Sequence, residues 1–132
     1  MLVTQDMGVI AEAADRVAVM YAGRLAEIGP VAEVIGRPRH PYTAGLMGAT
    51  PGASKGQVRL TQIPGAMPRL DAMPPGCAFH PRCPRRGPGC DTDPPLTRAP
   101  EARAACHYPL PAEEAARACR ISPPPHWCAS GT

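Results

Sequence analysis

Cys77, Cys83, Cys90 and Cys106 are separated by 5, 6 and 15 residues. Four thiolates can hold one tetrahedral zinc ion or the four irons of a cubane cluster. Structural zinc sites usually bring their ligands in pairs as C-x2-4-C knuckles, and none of these gaps is that short. The spacing therefore tilts toward a 4Fe-4S cluster, whose separated irons take ligands from different directions. One zinc, a disulfide pairing and an empty, vestigial site are the alternatives these residues leave open. A cubane on four thiolates carries net negative charge and gains from nearby cations. Arg82, Arg85, Arg86, Arg98 and Arg103 lie between the first and last ligand against Asp91, Asp93 and Glu101, a local balance of +2. His80 and His107 are read as solvated or capping side chains, the sharper alternative being donors behind the ligands or substitute ligands to zinc. Cys119 and Cys128 fall outside the pattern and receive no role.

The elements that must position these thiols change character along the chain. Met1-Leu2-Val3-Thr4 is a short apolar burst that predicts a buried strand, followed by Gln5-Asp6 as a turn and helix cap. Val9, Ile10, Ala13, Ala14 and Val17 share one face of a helix, with Glu12, Asp15 and Arg16 opposite. Val17, Val19 and Tyr21 then alternate with smaller residues, Ala22-Gly23 supplies a tight turn, and Arg24 to Ile28 returns as a second strand. Pro30 suits the first turn of a short helix whose Val31, Val34 and Ile35 share a face, and a Pro-Arg-His-Pro break at 38 to 41 leads into another from Tyr42 to Ala49. The His40-Pro41-Tyr42 segment reads as a rigid turn with Tyr42 packed on small apolar residues. After Ile63 come 15 of the 19 prolines, which exclude long helices and central strands. Ala112 to Cys119 is the later helical candidate.

Composition bounds what this chain can bury. Leu, Ile, Val and Phe make up 20 of 132 residues, so the core is small and the proline-rich half needs another source of order, which metal binding can supply. A net charge of +3, with arginines interleaved among prolines and carboxylates, and five scattered aromatics do not favour nucleic acid as a partner. No apolar run reaches the roughly 18 residues of a membrane span, and no signal peptide follows Met1, so the chain reads as cytosolic. In a reducing compartment such cysteines are more often a metal site than a disulfide framework.

Leu2 to Glu12, Ala14 to Arg24 and Glu27 to Pro30 resemble the end of the nucleotide-binding domain of an ATP-binding-cassette transporter. Arg39-His40-Pro41-Tyr42-Thr43 and Pro75-Gly76-Cys77-Ala78-Phe79-His80-Pro81-Arg82-Cys83-Pro84 narrow the resemblance to the C-terminal region of the ATPase subunits of oligopeptide, dipeptide and nickel importers. It runs from residue 2 to about 108. It implies an α/β fragment: residues 1–50 as the C-terminal end of a P-loop ATPase domain, 51–108 as an irregular, Pro-rich, cysteine-bearing extension, and 109–132 as a poorly ordered tail. It also implies a 4Fe-4S cluster on Cys77 and Cys83, from the Gly-Cys-x-Phe-x-x-Arg-Cys motif, with Cys106 from Ala105-Cys106-His107 and Cys90 as the remaining ligand. Gln5 stands at the position of the family's switch histidine, where an amide can donate a hydrogen bond to a phosphate oxygen but carries no charge.

The sequence has no G-x-x-x-x-G-K-[ST], and the family's metal-binding carboxylate pair and signature segment are missing too. ATP and Mg are thus expected only in a complete subunit, and no catalytic residue is assigned in this chain. The resemblance implies permease subunits and a second ATP-binding subunit as partners, with the assembly peripheral on the inner face of the cell membrane. The alternatives are a stand-alone iron-sulfur or zinc-binding interaction module and an inactive remnant of a truncated gene. If the Leu2 to Thr4 strand lacks its parallel neighbours, the chain is expected to self-associate through that unpaired edge.

Overall fold

The structure is a computed structural model, and it describes residues 1–50, 62–96 and 102–118. Asp6 opens the first helix, α1 (Met7–Ala13), its carboxylate accepting from the N–H groups of Gly8 and Val9. Strands β1 (Arg16–Tyr21) and β2 (Arg24–Pro30) form the expected hairpin, with Val17, Val19 and Tyr21 buried and their neighbours exposed. Ala22 and Gly23 both have positive φ, 48° and 76°, as a mirror-type two-residue turn requires to match the strands' twist. Helix α2 (Val31–Gly36) buries Val31, Val34 and Ile35, and α3 (Pro41–Ala49) starts with proline in its first turn.

Two features of the sheet could not be read from the sequence pattern. Val19 faces Glu27 while Met20 faces Leu25, so Ala26 is an extra residue, a bulge after which Ala26 and Glu27 are both buried. A third strand, β3 (Arg103–Ala104), adds antiparallel to β2 through Glu27 and Ile28, giving the order β1-β2-β3. Two residues flanked by irregular chain carry no alternation from which to predict a strand. The helix expected over Ala112–Cys119 is α4 (Ala112–Ala118), and Leu110 and Ala115 are buried; Cys119 and Cys128 lie outside the described residues.

The strand expected over Met1–Thr4 is not formed. Met1, Leu2 and Val3 are exposed, and the Thr4 hydroxyl instead accepts the Asp6 N–H in a local turn. A strand exists only through a ladder to a neighbour, and none of the three described strands pairs with this segment. The unpaired strand edge through which self-association is expected is thus absent, while Leu2 and Val3 remain exposed apolar side chains. The shared helical face is corrected as well: α1 stops at Ala13, Ile10 is buried, Val9 is exposed, and Val17 belongs to β1, where it pairs with Gly29.

Ile10, Val17, Val19, Ala26, Val31, Val34, Ile35, Met47 and Ala102 form one apolar cluster. A second consists of Tyr21, Ala78 and Phe79, with Tyr42, Ile63, Met73, Cys77 and Cys83 packed against it. Tyr21, Tyr42 and Phe79 meet with ring centroids 4.6–5.3 Å apart. Three of the aromatics that look scattered along the chain thus join the hairpin, α3 and the cysteine segment. Tyr42 is packed, but its ring meets the aromatic rings of Tyr21 and Phe79, not the small apolar residues alone that the sequence suggests.

Candidate metal centre

A run of tight turns carries the first three cysteines. The Cys77 carbonyl accepts from the His80 N–H, a single 3-10 turn spans His80–Arg82, the Cys83 carbonyl accepts from Arg86, and Cys90 donates to Gly87. Cys77 N–H then closes on the Cys90 carbonyl at 3.1 Å, drawing the first and third cysteines together. Glycine is needed at 76, because φ there is +70° and a Cβ would lie 2.4 Å from the Asp91 carbonyl carbon and 2.6 Å from the Cys90 oxygen. Cys106 arrives from the other direction, two residues past β3, after Ala105 N–H bonds to the Ala26 carbonyl at 2.8 Å.

Two arginines fasten this segment to the hairpin. Arg82 donates to the Pro64 and Ile63 carbonyls and to the Tyr21 hydroxyl, and Arg24 donates to the Gly76 carbonyl and Asp93. The capping reading of His80 holds: its Nδ1 bonds the Cys77 carbonyl at 2.8 Å. His107 Nε2 lies 3.2 Å from the Thr92 carbonyl.

Cys77, Cys83, Cys90 and Cys106 are all free thiols, Cys90 and Cys106 being buried. They are mutually close enough for charge on one to act on the others. Burial is the main cause that raises the Cys77, Cys83 and Cys106 thiols, the last to about 11, with further upward pressure from the neighbouring cysteines. Against this, nearby backbone N–H groups press the three thiols down: those of Phe79 and His80 at Cys77, of Arg85 at Cys83 and of Tyr108 at Cys106. Such donors favour the thiolate, as do Arg24 beside Cys77 and Arg85 beside Cys83.

Among the described residues no three His, Cys, Asp or Glu side chains converge on a single-ion position. A cavity of about 260 Å³ opens between the hairpin turn and Cys77, lined also by Tyr21, His40, Phe79 and Asp93. Cys77 is the only one of the four cysteines in its lining. Gln5 is exposed, next to the Asp6 cap of α1 and outside this region.

A buried polar network, missed in the sequence, supports the centre from the hairpin side. Glu27, fully buried by the bulge, accepts the N–H groups of Arg39 and His40 at 2.9 and 3.0 Å. His40 Nδ1 accepts the Tyr42 N–H, capping α3, and the ring also bonds the backbone of Ala105, the residue before Cys106. Burial raises the Glu27 carboxyl and lowers His40 to about 4. Because His40 is held neutral in the fold and titrates near 6.5 when unfolded, its contribution is complete above pH 6.5 and is lost as pH falls toward 4, in total about 3 kcal/mol. Glu27 acts oppositely, its contribution being lost as pH rises from 4.5 through its raised value. His40→Asn retains a capping oxygen without a titrating ring. Urea midpoints measured against pH should therefore show the acid-side loss between pH 6.5 and 4 flattened in this variant, whereas an unchanged profile would assign that loss to other groups.

Residues 26–90 match the family described as oligopeptide/dipeptide transporter, C-terminal region. They span β2 from Ala26 onward, the Glu27–His40 network and three of the four cysteines. Residues 26–90 are an oligopeptide/dipeptide transporter C-terminal region. The chain that carries this transporter region is similar to the dipeptide transport ATP-binding protein of Bacillus subtilis, 51% identical over 90 residues, 68% of this chain and 27% of that protein. It is also similar to a probable D,D-dipeptide transport ATP-binding protein of Escherichia coli, 42% identical over 111 residues, 83% of this chain and 34% of the relative. The chain thus spans about a third or less of the length of these relatives. Among the described residues no helix is long and apolar enough to cross a membrane.

Proposed function

We propose that this chain serves as the C-terminal part of an ATP-binding subunit in an importer of oligopeptides or dipeptides, with nickel as a further candidate cargo, and that Cys77, Cys83, Cys90 and Cys106 hold a 4Fe-4S cluster. The observation that supports the cluster reading is that tight turns and the bond from Cys77 N–H to the Cys90 carbonyl draw the first three free cysteines together while β3 brings in Cys106, with backbone N–H groups beside Cys77, Cys83 and Cys106 favouring the thiolates. Free thiols in an apolar setting have no need of such donors, whereas thiolates bound to metal gain from each of them.

A bound cluster would cross-link chain segments that the small core holds weakly, on the order of ten kcal/mol of folding free energy for metal binding at four thiolates. This chain's residues prepare for it: tight turns aim the sulfurs, Gly76 permits the close approach of residues 76–77 to 90–92, and β3 delivers Cys106. In the complete subunit ATP and Mg would be held by other segments, with Gln5 at the switch position offering an uncharged donor to the terminal phosphate. Permease subunits and a second ATP-binding subunit are the proposed partners, with the assembly peripheral on the inner face of the membrane.

The test is anaerobic purification followed by an absorption spectrum and assays of iron, sulfide and zinc, for the native chain and for Cys83→Ser. The expected result is a brown protein with about four irons per chain, and loss of colour and most iron in the variant. A colourless protein with one zinc, or with no metal, overturns the cluster.

A further inference from the structure

Arg85 stands out among the arginines near the cysteines. Arg82 spends Nε, Nη1 and Nη2 on Pro64, Tyr21 and Ile63, and Arg24 spends Nη1 on Gly76 and Asp93. Arg85 engages Glu114 of α4 through one nitrogen alone: Nη1 donates to both carboxylate oxygens at 3.0 and 2.9 Å. Its Nε is buried and has no hydrogen-bond partner. A buried N–H left unmade is disfavoured and calls for an explanation. Arg85 is two residues past Cys83, and both its backbone N–H and its positive charge favour the Cys83 thiolate.

We propose that Arg85 is a positioning residue of the metal centre, its Nε–H donating to sulfur at the Cys83 corner of a thiolate-held cluster while Glu114 fixes the guanidinium from its far end. This rests on the cluster reading above. The arrangement explains why a half-exposed carboxylate of the last helix reaches back to a residue two positions past a ligand: α4 sets the orientation of a cation beside the centre. Reduction adds one electron to an already negative centre, so a cation and donor there favour the reduced form.

The experiment is a potentiometric titration of the full chain with its cluster, followed by electron paramagnetic resonance, for the native protein, Arg85→Gln, Arg85→Lys and Glu114→Gln. Arg85→Gln should lower the reduction equilibrium about tenfold, about 59 mV for a one-electron couple. Arg85→Lys, which keeps the charge and lacks Nε–H, should fall between. Glu114→Gln keeps an oxygen for Nη1 and removes the opposing charge, so its midpoint should rise. An unchanged midpoint in Arg85→Gln, or equal shifts of one sign in Arg85→Gln and Glu114→Gln, overturns the proposal by reducing the pair to a fastener for α4. If Arg85→Gln fails to assemble, Glu114→Gln decides alone: a raised midpoint supports the role and any other result overturns it. A native chain without iron and sulfide overturns both this inference and the cluster reading, whereas a native cluster indifferent to these substitutions overturns only this one.

Discussion

Gly76→Ala should destabilise the protein by about 3 kcal/mol and disrupt the cysteine arrangement, while Gly89→Ala should cost only about 1–2 kcal/mol. Both glycines have positive φ, +70° and +88°, so both variants bear the conformational cost of an L side chain there. Only Gly76 also meets backbone. Its Cβ would lie 2.4 Å from the Asp91 carbonyl carbon and 2.5 Å from the Thr92 nitrogen, whereas nothing lies within 4 Å of a Cβ at Gly89. Backbone cannot rotate aside, so segment 90–92 must move, and with it the bond from Cys77 N–H to the Cys90 carbonyl. Urea unfolding of the two variants beside the native chain measures the contrast. Equal losses would show that the close approach at Gly76 contributes nothing beyond its φ.

Glu27→Ala should cost a similar amount, about 3 kcal/mol, compared with about 0.5 kcal/mol or less for Glu33→Ala. The two glutamates differ in what their removal leaves behind. Without the Glu27 carboxylate the N–H groups of Arg39 and His40 lose their acceptor inside the fold, each at roughly 1–3 kcal/mol, offset in part because a carboxyl that burial disfavours as a charge has gone. Glu33 pairs with Arg37 one helical turn away at a partly exposed position, and water replaces that contact. The readout is again the urea midpoint, and a Glu27→Ala loss no larger than that of Glu33→Ala would remove the network from any account of stability.

The legible parts of the fold are those whose signal is local. Alternation at Val17, Val19 and Tyr21, two residues able to take positive φ at 22–23, and the shared face of Val31, Val34 and Ile35 each act within a few residues. The hairpin and α2 followed from them. What escaped depends on partners distant in the chain. Leu2 to Thr4 has the composition of a buried strand and no ladder to join, while Arg103-Ala104 has no strand pattern yet pairs with Glu27 and Ile28. Glu27 turns inward through a one-residue bulge that hydropathy does not encode. At the candidate centre, the four cysteines and their unequal gaps were visible at once. The turns that carry three of them, the bond from Cys77 N–H to the Cys90 carbonyl and the reach of Glu114 to Arg85 emerge only from the folded chain.

The placement of β3 fixes an order of events during folding. The hairpin joins neighbours through a two-residue turn and forms on the microsecond scale, but β3 must find β2 across about 70 residues of proline-rich chain, a closure that costs roughly 4 kcal/mol of entropy. Two residue pairs of ladder are a small return on so large a loop. Cys106 follows that strand directly and so reaches the other thiols late, after the hairpin, α2 and α3 exist as a template. A chain emerging from the ribosome would therefore present Cys77, Cys83 and Cys90 before Cys106, which joins them only with the non-local pairing of β3.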